Sequence, residues 1–126
     1  MNLVHNQALT ERVIGLAIDV HRILGPGLLE SAYEECLCSE LRRAGISHVR
    51  QKPLPVIYKD VQLDCGYRMD LVVDGQLIVE IKTVERVLPI HEAQILTYLR
   101  LSGCKIGLLM NFNSVRLKDG LRRFVL

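Results

Sequence analysis

The stretch RMDLVVDGQLIVEIKTV holds two carboxylates, Asp70 and Glu80, with Lys82 two residues beyond the second. Two carboxylates held a few ångströms apart repel, so each favours a hard cation between them or a raised pKa. Mg²⁺ suits such a pair, because it takes one or two protein carboxylates, keeps water and leaves positions for phosphate oxygens. A lysine so close to Glu80 can hold an attacking water or help deprotonate it. The same spacing also fits an exposed, charged sheet face with a cross-strand ion pair.

Whether the three residues meet depends on the strands that carry them. The odd positions Met69, Leu71, Val73, Leu77, Val79 and Ile81 are all apolar, while the even ones include Arg68, Asp70, Gln76, Glu80 and Lys82. Such alternation assigns the odd set to a core face and the even set to the opposite one. A two-residue Asp74-Gly75 turn would pair Val73 with Gln76, put Asp70 and Glu80 on opposite faces and split the apolar set. A three-residue loop with Gly75 in the left-handed conformation pairs Val72 with Gln76 and keeps each set together. Core burial selects the second, which gathers Asp70, Glu80 and Lys82 on one face.

Two helices must supply the rest of such a site. One starts near Pro89, a good first-turn residue, and ends at Ser102-Gly103. It carries Gln94 and Tyr98 one turn apart on one face, between apolar Ile90 and Leu101. Both can hydrogen-bond a phosphate or a metal-bound water, and both suit a buried Tyr–Gln pair equally well. The other helix runs from about Leu28 to Ala44, with Gly45 placed as its C′ residue. Glu30 there falls at the angle of Leu37 and Leu41, in the stripe that Tyr33 continues. A carboxylate inside an apolar stripe should be paired or bind something. Glu40 lies in the same arc and a helix-start carboxylate also suits the dipole, so the pattern does not single out Glu30.

After Thr10, a plausible N-cap, Val13, Ala17, Val20 and Leu24 form one helical stripe, which Gly25-Pro26-Gly27 stops. Leu54, Val56 and Tyr58 alternate, as do Val61, Leu63 and Cys65, around a Lys59-Asp60 turn. Strands over about Tyr67–Val73 and Gln76–Lys82 follow. Lys105–Phe112 reads as a buried strand, and Val115–Leu126 as one or two more, turning at Asp119-Gly120. The order ααββββαββ lets helices cover both faces of one sheet, which indicates an α/β (α+β) fold.

With 126 residues, 14.3 kDa and 49% hydrophobic residues, the expectation is one domain over residues 1–126 with one real core. The apolar fraction excludes disorder, and nine glycines with four prolines exclude a coiled coil. No apolar run approaches the length of a membrane helix. The segment MNLVHNQALTERV is polar and does not read as a signal peptide, so the expected location is cytoplasmic. A net charge of +2 does not argue for nucleic acid by itself, but residues 105–126 carry a local +4. That basic segment could track a phosphate backbone or form a solvated strand face. Cys36, Cys38, Cys65 and Cys104 match no zinc spacing and read as reduced, mostly buried small hydrophobes. His5, His21, His48 and His91 are scattered and form no metal motif.

Gly27-Leu28-Leu29-Glu30-Ser31-Ala32-Tyr33 resembles the signature of the GxxExxY proteins, within the PD-(D/E)XK nuclease superfamily. The resemblance extends from VHRILGPGLLESAYEECL through GYRMDLVVDGQLIVEIK to a Q-x₃-Y helix and the NFN segment. It implies a restriction-endonuclease-like αβββαβ core, a small mixed sheet flanked by helices. By motif position Asp70 and Glu80 resemble the metal-binding acids, Lys82 the catalytic lysine and Glu30 the acid of the first core helix. Gln94 and Tyr98 resemble the Q-x₃-Y motif of the RecB-like branch. The motif's proline beside the first acid is absent, since Asp70 follows Met69.

The resemblance implies a Mg²⁺- or Mn²⁺-dependent phosphodiesterase acting on DNA, less readily on RNA. Asp70, Glu80 and the backbone carbonyl of Ile81 would hold the metal, and Glu30 would complete its water shell or hold a second ion. Lys82 would activate water, while Gln94, Tyr98 and Arg68 would meet the substrate phosphate. The alternative is a non-catalytic module binding nucleic acid or a protein on the same fold. So short a chain has little surface beyond the core, so specificity calls for a homodimer or a partner chain.

Overall fold

The computed structural model describes the backbone of residues 3–126 and the side chains of residues 6–126; the His5 side chain therefore lies outside the described residues. Helix α1 spans Leu3–Leu24 and so begins well before the expected cap at Thr10. Thr10 is buried inside the helix, where its hydroxyl donates to the Asn6 carbonyl one turn back at 2.6 Å. That local bond satisfies a threonine within a helix and removes it from capping.

Gly25 and Gly27 then take φ of 72° and 100°, left-handed conformations that turn the chain toward α2 (Glu30–Arg43). Tyr33 ties this turn down. Its hydroxyl donates to the Gly25 carbonyl at 2.6 Å and accepts the Leu28 N–H at 3.1 Å, and its ring stacks on Phe112 at 4.5 Å. Because Leu29 is extended, α2 starts later than Leu28. At its other end Gly45 has φ 70°, and the Gly45 and Ile46 N–H groups donate to Arg42 and Leu41. This paired stop satisfies the last carbonyls as the C′ placement of Gly45 requires.

Five strands build the main sheet: β1 (His48–Pro53), β4 (Arg68–Val73), β5 (Leu77–Lys82), β6 (Ile106–Asn111) and β7 (Leu121–Val125), in the order β1-β4-β5-β6-β7. Among the described strands only β5 and β6 are parallel, and α3 (Pro89–Ser102) makes the crossover between them. The succession α2, β1, β4, β5, α3, β6 is a mixed α/β architecture with a restriction-endonuclease-like αβββαβ core.

Several expected elements change. β1 was not expected, because HVRQKP shows no alternation: it is an edge strand, half-buried at His48 and exposed beyond it. β2 (Val56–Tyr58) and β3 (Val61–Leu63) pair around the Lys59-Asp60 turn, but as a separate two-stranded sheet rather than within one sheet. β3 stops at Leu63, leaving Cys65 exposed in the loop; Cys38 and Cys104 are buried and Cys36 is half-buried. The tail holds one strand, β7, preceded by a 3-10 turn over Leu117–Gly120.

Both faces of the sheet are covered. Leu71, Val73, Val79, Ile81, Leu108 and Met110 pack with α1 and α2, while Val72 and Ile78 pack with Tyr98 and Leu99 of α3. Met69, expected with the first set, belongs to the second, next to the point where β4 parts from β5. Gly107 lies beneath α3, where an added Cβ would stand 2.9 Å from Ile95 Cδ1 and 3.4 Å from Leu99 Cδ1. The missing side chain lets the helix sit close to the strand.

Candidate metal and phosphate site

The β4–β5 ladder pairs Val73 with Leu77, Val72 with Ile78 and Leu71 with Val79. The expected three-residue loop is present, with Gly75 at φ 65°, but it pairs Val73 with Leu77 rather than Val72 with Gln76. Asp74 also takes a positive φ of 52°, and the loop comprises Asp74, Gly75 and Gln76, one residue further along the chain than expected. This shift of two in register keeps Glu80 and Lys82 on the face of Ile78, toward α3, and brings Asp70 opposite Glu80.

At Asp70 both neighbouring ladders are interrupted. Toward β5, pairing ends at Leu71; toward β1, it skips from Arg50↔Leu71 to Lys52↔Met69. Carboxylates take over the bonding. Glu80 Oε2 accepts the Asp70 N–H at 2.8 Å, and Asp70 Oδ2 accepts the Ile81 N–H at 2.8 Å. Glu80 is 3% exposed. Burial, and then the Asp70 carboxylate, push its pKa up to about 8, against the lowering by the Asp70 N–H and Lys82. Burial also raises the Asp70 pKa, opposed chiefly by the Ile81 N–H. At neutral pH the pair therefore retains a proton that a bound cation would displace.

Lys82 ends β5 with its Nζ donating to Gln94 Oε1 at 3.2 Å, and Gln94 Nε2 donates to the Tyr98 hydroxyl at 3.1 Å. The i, i+4 pair expected on α3 thus forms and reaches the lysine. Burial, and then the charge of Glu80, raise the Tyr98 pKa. The NFN segment fixes the strand end behind Lys82. Phe112 N–H donates to the Lys82 carbonyl at 2.9 Å, and the Asn111 amide makes two bonds to the Val84 backbone.

A cavity of about 290 Å³ opens beside Asp70, lined by Glu30, Ser31, Glu34, Gln51 and Ile81. Glu30 is exposed, and its Oε2 accepts the Thr83 N–H at 3.2 Å. Arg68 is exposed and donates to the Gln51 carbonyl at 3.5 Å. Glu40 lies elsewhere, half-buried near Val20 and Ile23.

Glu34 and Gln51 also enter the cluster. The buried Glu34 accepts Arg50 Nε at 2.7 Å and Gln51 Nε2 at 2.6 Å, one on each oxygen; Arg50 also pairs with Glu35. Gln51 Nε2 lies 3.3 Å from Asp70 Oδ1 as well. Consecutive strand residues ordinarily point to opposite faces. Gln51 has φ 52°, and this left-handed step lets both Arg50 and Gln51 reach Glu34. The signal for Glu34 was present: it precedes Leu37, Cys38 and Leu41 by three, four and seven residues, at the centre of the buried stripe. Gln51 carried no such signal, since it sits in a polar strand without alternation.

Among the described residues no three His, Cys, Asp or Glu side chains form a ready metal cage. Among the described residues no helix is long and apolar enough to cross a membrane. The family model described as the PD-(D/E)XK nuclease superfamily matches residues 7–124. No curated protein and no solved structure matches the chain.

Proposed function

The chain belongs to the PD-(D/E)XK nuclease superfamily, and on that footing we propose that it is a Mg²⁺- or Mn²⁺-dependent phosphodiesterase acting on DNA, less readily on RNA. The observation that carries this reading is the crossed Asp70–Glu80 pair at the end of a strand ladder, with Lys82 beside it on a tether to Gln94. Two carboxylates and a main-chain carbonyl form an all-oxygen donor set, which suits a hard divalent cation. Asp70, Glu80 and the Ile81 carbonyl would hold it. Glu30 would complete its water shell or hold a second ion; Glu34 raises the pKa of both acids by its charge and is linked to Asp70 through Gln51.

When bound, the cation supplies Lewis-acid stabilisation of charge developing on the phosphate oxygens. Lys82 orients the attacking water in line and helps move its proton. Gln94 holds Lys82, and with Tyr98 and Arg68 it meets the scissile phosphate. The reading extends to the GxxExxY proteins and the RecB-like branch. It is supported by Tyr33, which closes the glycine turn, and by the Gln94–Tyr98 bond. It also includes one domain over residues 1–126, a cytoplasmic location, and a homodimer or partner chain to add binding surface.

The test is Mn²⁺ titrated calorimetrically into metal-free protein, with cleavage assays on single- and double-stranded DNA. Saturable heat and cleavage, both abolished by Glu80→Gln, are expected. Heat without cleavage of any substrate would move the reading to a non-catalytic binding module. No heat and no cleavage would overturn it.

A further inference from the structure

Helix α3 has a second stripe besides the one it buries on the sheet. Ile90, Gln94, Thr97, Tyr98 and Leu101 recur at helical spacing and form one wall of a groove of about 430 Å³, with Val56 and Tyr67 on the other side. Among the described residues no charged one lines it. Ile90 is 68% and Tyr67 49% exposed, so apolar and aromatic surface faces the opening. The Tyr67 backbone is fixed, because its carbonyl accepts the Leu54 N–H at 2.8 Å.

The groove is continuous with the site. Gln94 and Tyr98 stand in its wall and are also the tether of Lys82. A group entering here therefore adjoins whatever Lys82 faces. A phosphate has no cation in the groove to meet, and the two carboxylates lie nearby. A nucleobase fits the chemistry: its faces are apolar and stack on aromatic rings, and its edges seek hydroxyl and amide partners such as Thr97 and Gln94. A base within a duplex is already stacked and paired, and reaches such a groove only by being flipped out.

We infer that the groove between α3 and Tyr67 receives an unpaired nucleobase next to the scissile phosphate, which makes single-stranded DNA the substrate class. The inference rests on the phosphodiesterase reading for the phosphate's position, and its binding test runs without metal.

The experiment measures anisotropy of a fluorescein-labelled oligothymidylate, and of a duplex of equal length, with protein in chelator. Wild type should bind the single strand more tightly. Tyr67→Ala should weaken that binding roughly tenfold and leave duplex binding unchanged. Tyr67→Phe should restore it, because the ring is what stacks. Ala93→Trp, which fills the groove from the helix side and leaves Tyr67 in the sequence, should act like Tyr67→Ala and serves if that variant does not fold. Equal wild-type affinity for both forms, or equal loss of both in the variants, would overturn the inference. So would a dimer that Tyr67→Ala converts to monomer, since the groove would then be a protein interface. Selective loss in a protein that cleaves nothing with Mn²⁺ would uphold the groove and sink the nuclease reading. Cleavage of both forms unaffected by Tyr67→Ala would do the reverse.

Discussion

Asp70 and Glu80 hold each other's strands: Glu80 Oε2 takes the Asp70 N–H, and Asp70 Oδ2 takes the N–H of Ile81, the residue after Glu80, each at 2.8 Å. The carboxylates that repel as charges are therefore also the acceptors that close the gap between β4 and β5. Charge and structure can be separated by the choice of substitution.

On repulsion alone, truncating either acid would leave the metal-free protein as stable as before. The crossed bonds predict otherwise for alanine, which strands a backbone N–H at a cost of roughly 1–3 kcal/mol. Glu80→Gln and Asp70→Asn keep a carbonyl oxygen for that N–H and remove the repulsion. Their melting temperatures in chelator should match or exceed wild type, while the alanine variants fall below it. None of the four should gain stability from Mn²⁺ as wild type does. Lys82→Ala should keep the Mn²⁺ shift and lose turnover. A full Mn²⁺ shift in Glu80→Gln would refute the proposed ligand.

The pH dependence has a definite sign. Glu80 titrates near 8 in the folded protein against an ordinary 4.5, so between these values the folded state keeps a proton that the unfolded chain has lost. Its stabilising contribution is complete below about 4.5 and is lost as pH rises through about 8. Asp70, also raised, acts in the same direction. Denaturation in chelator should show the difference between wild type and Glu80→Gln shifting against wild type by up to ~1.4 kcal/mol per pH unit across this window. A difference that stays constant with pH would contradict the burial of a neutral Glu80.

Gln51 offers a test of second-layer support. Glycine adopts a φ of 52° without strain, so Gln51→Gly should fold at least as well while losing the amide between Glu34 and Asp70. Supporting partners of metal ligands are typically worth about 10- to 100-fold in affinity. Calorimetry should therefore show weaker Mn²⁺ binding with an unchanged or higher melting temperature. Unchanged affinity would reduce Gln51 to a tie between strand and helix.

The basic C-terminal strand is divided by register. Glu80 pairs with Leu109 and Leu109 with Arg122, so Arg122 stands in Glu80's row, on the same face of the sheet. Arg123 pairs with Leu108, which points into the core under α1 and α2. If DNA lies across the site face, Arg122→Ala should flatten the salt dependence of binding by about 0.9 in log–log slope, and Arg123→Ala should leave it unchanged. Equal effects of the two would exclude that orientation.

How much could be read beforehand follows from burial. The meeting of Asp70 and Glu80 was legible because Leu71, Val73, Leu77, Val79 and Ile81 alternate onto one core face, and α3 because Pro89 and Gly103 bracket it; the departure of Met69 from that set was not. β1 was not, since an exposed edge strand has no need to alternate. Glu34 was overlooked in favour of Glu30 and Glu40 although its spacing to Leu37, Cys38 and Leu41 marks it, and the structure places Glu34 inward and leaves Glu30 exposed. The loop lies one residue further along the chain than expected because Asp74, a non-glycine, shares the left-handed turn with Gly75.

Gly107 has no functional group, yet it works as a gauge block. Ile95 presses onto it and is itself fully buried, so a methyl group there would lift α3 away from β6 by a few tenths of an ångström. The same helix carries Gln94, and with it the 3.2 Å reach to Lys82 and one wall of the groove. The calibration of both therefore resides in a hydrogen atom on the neighbouring strand, outside either one.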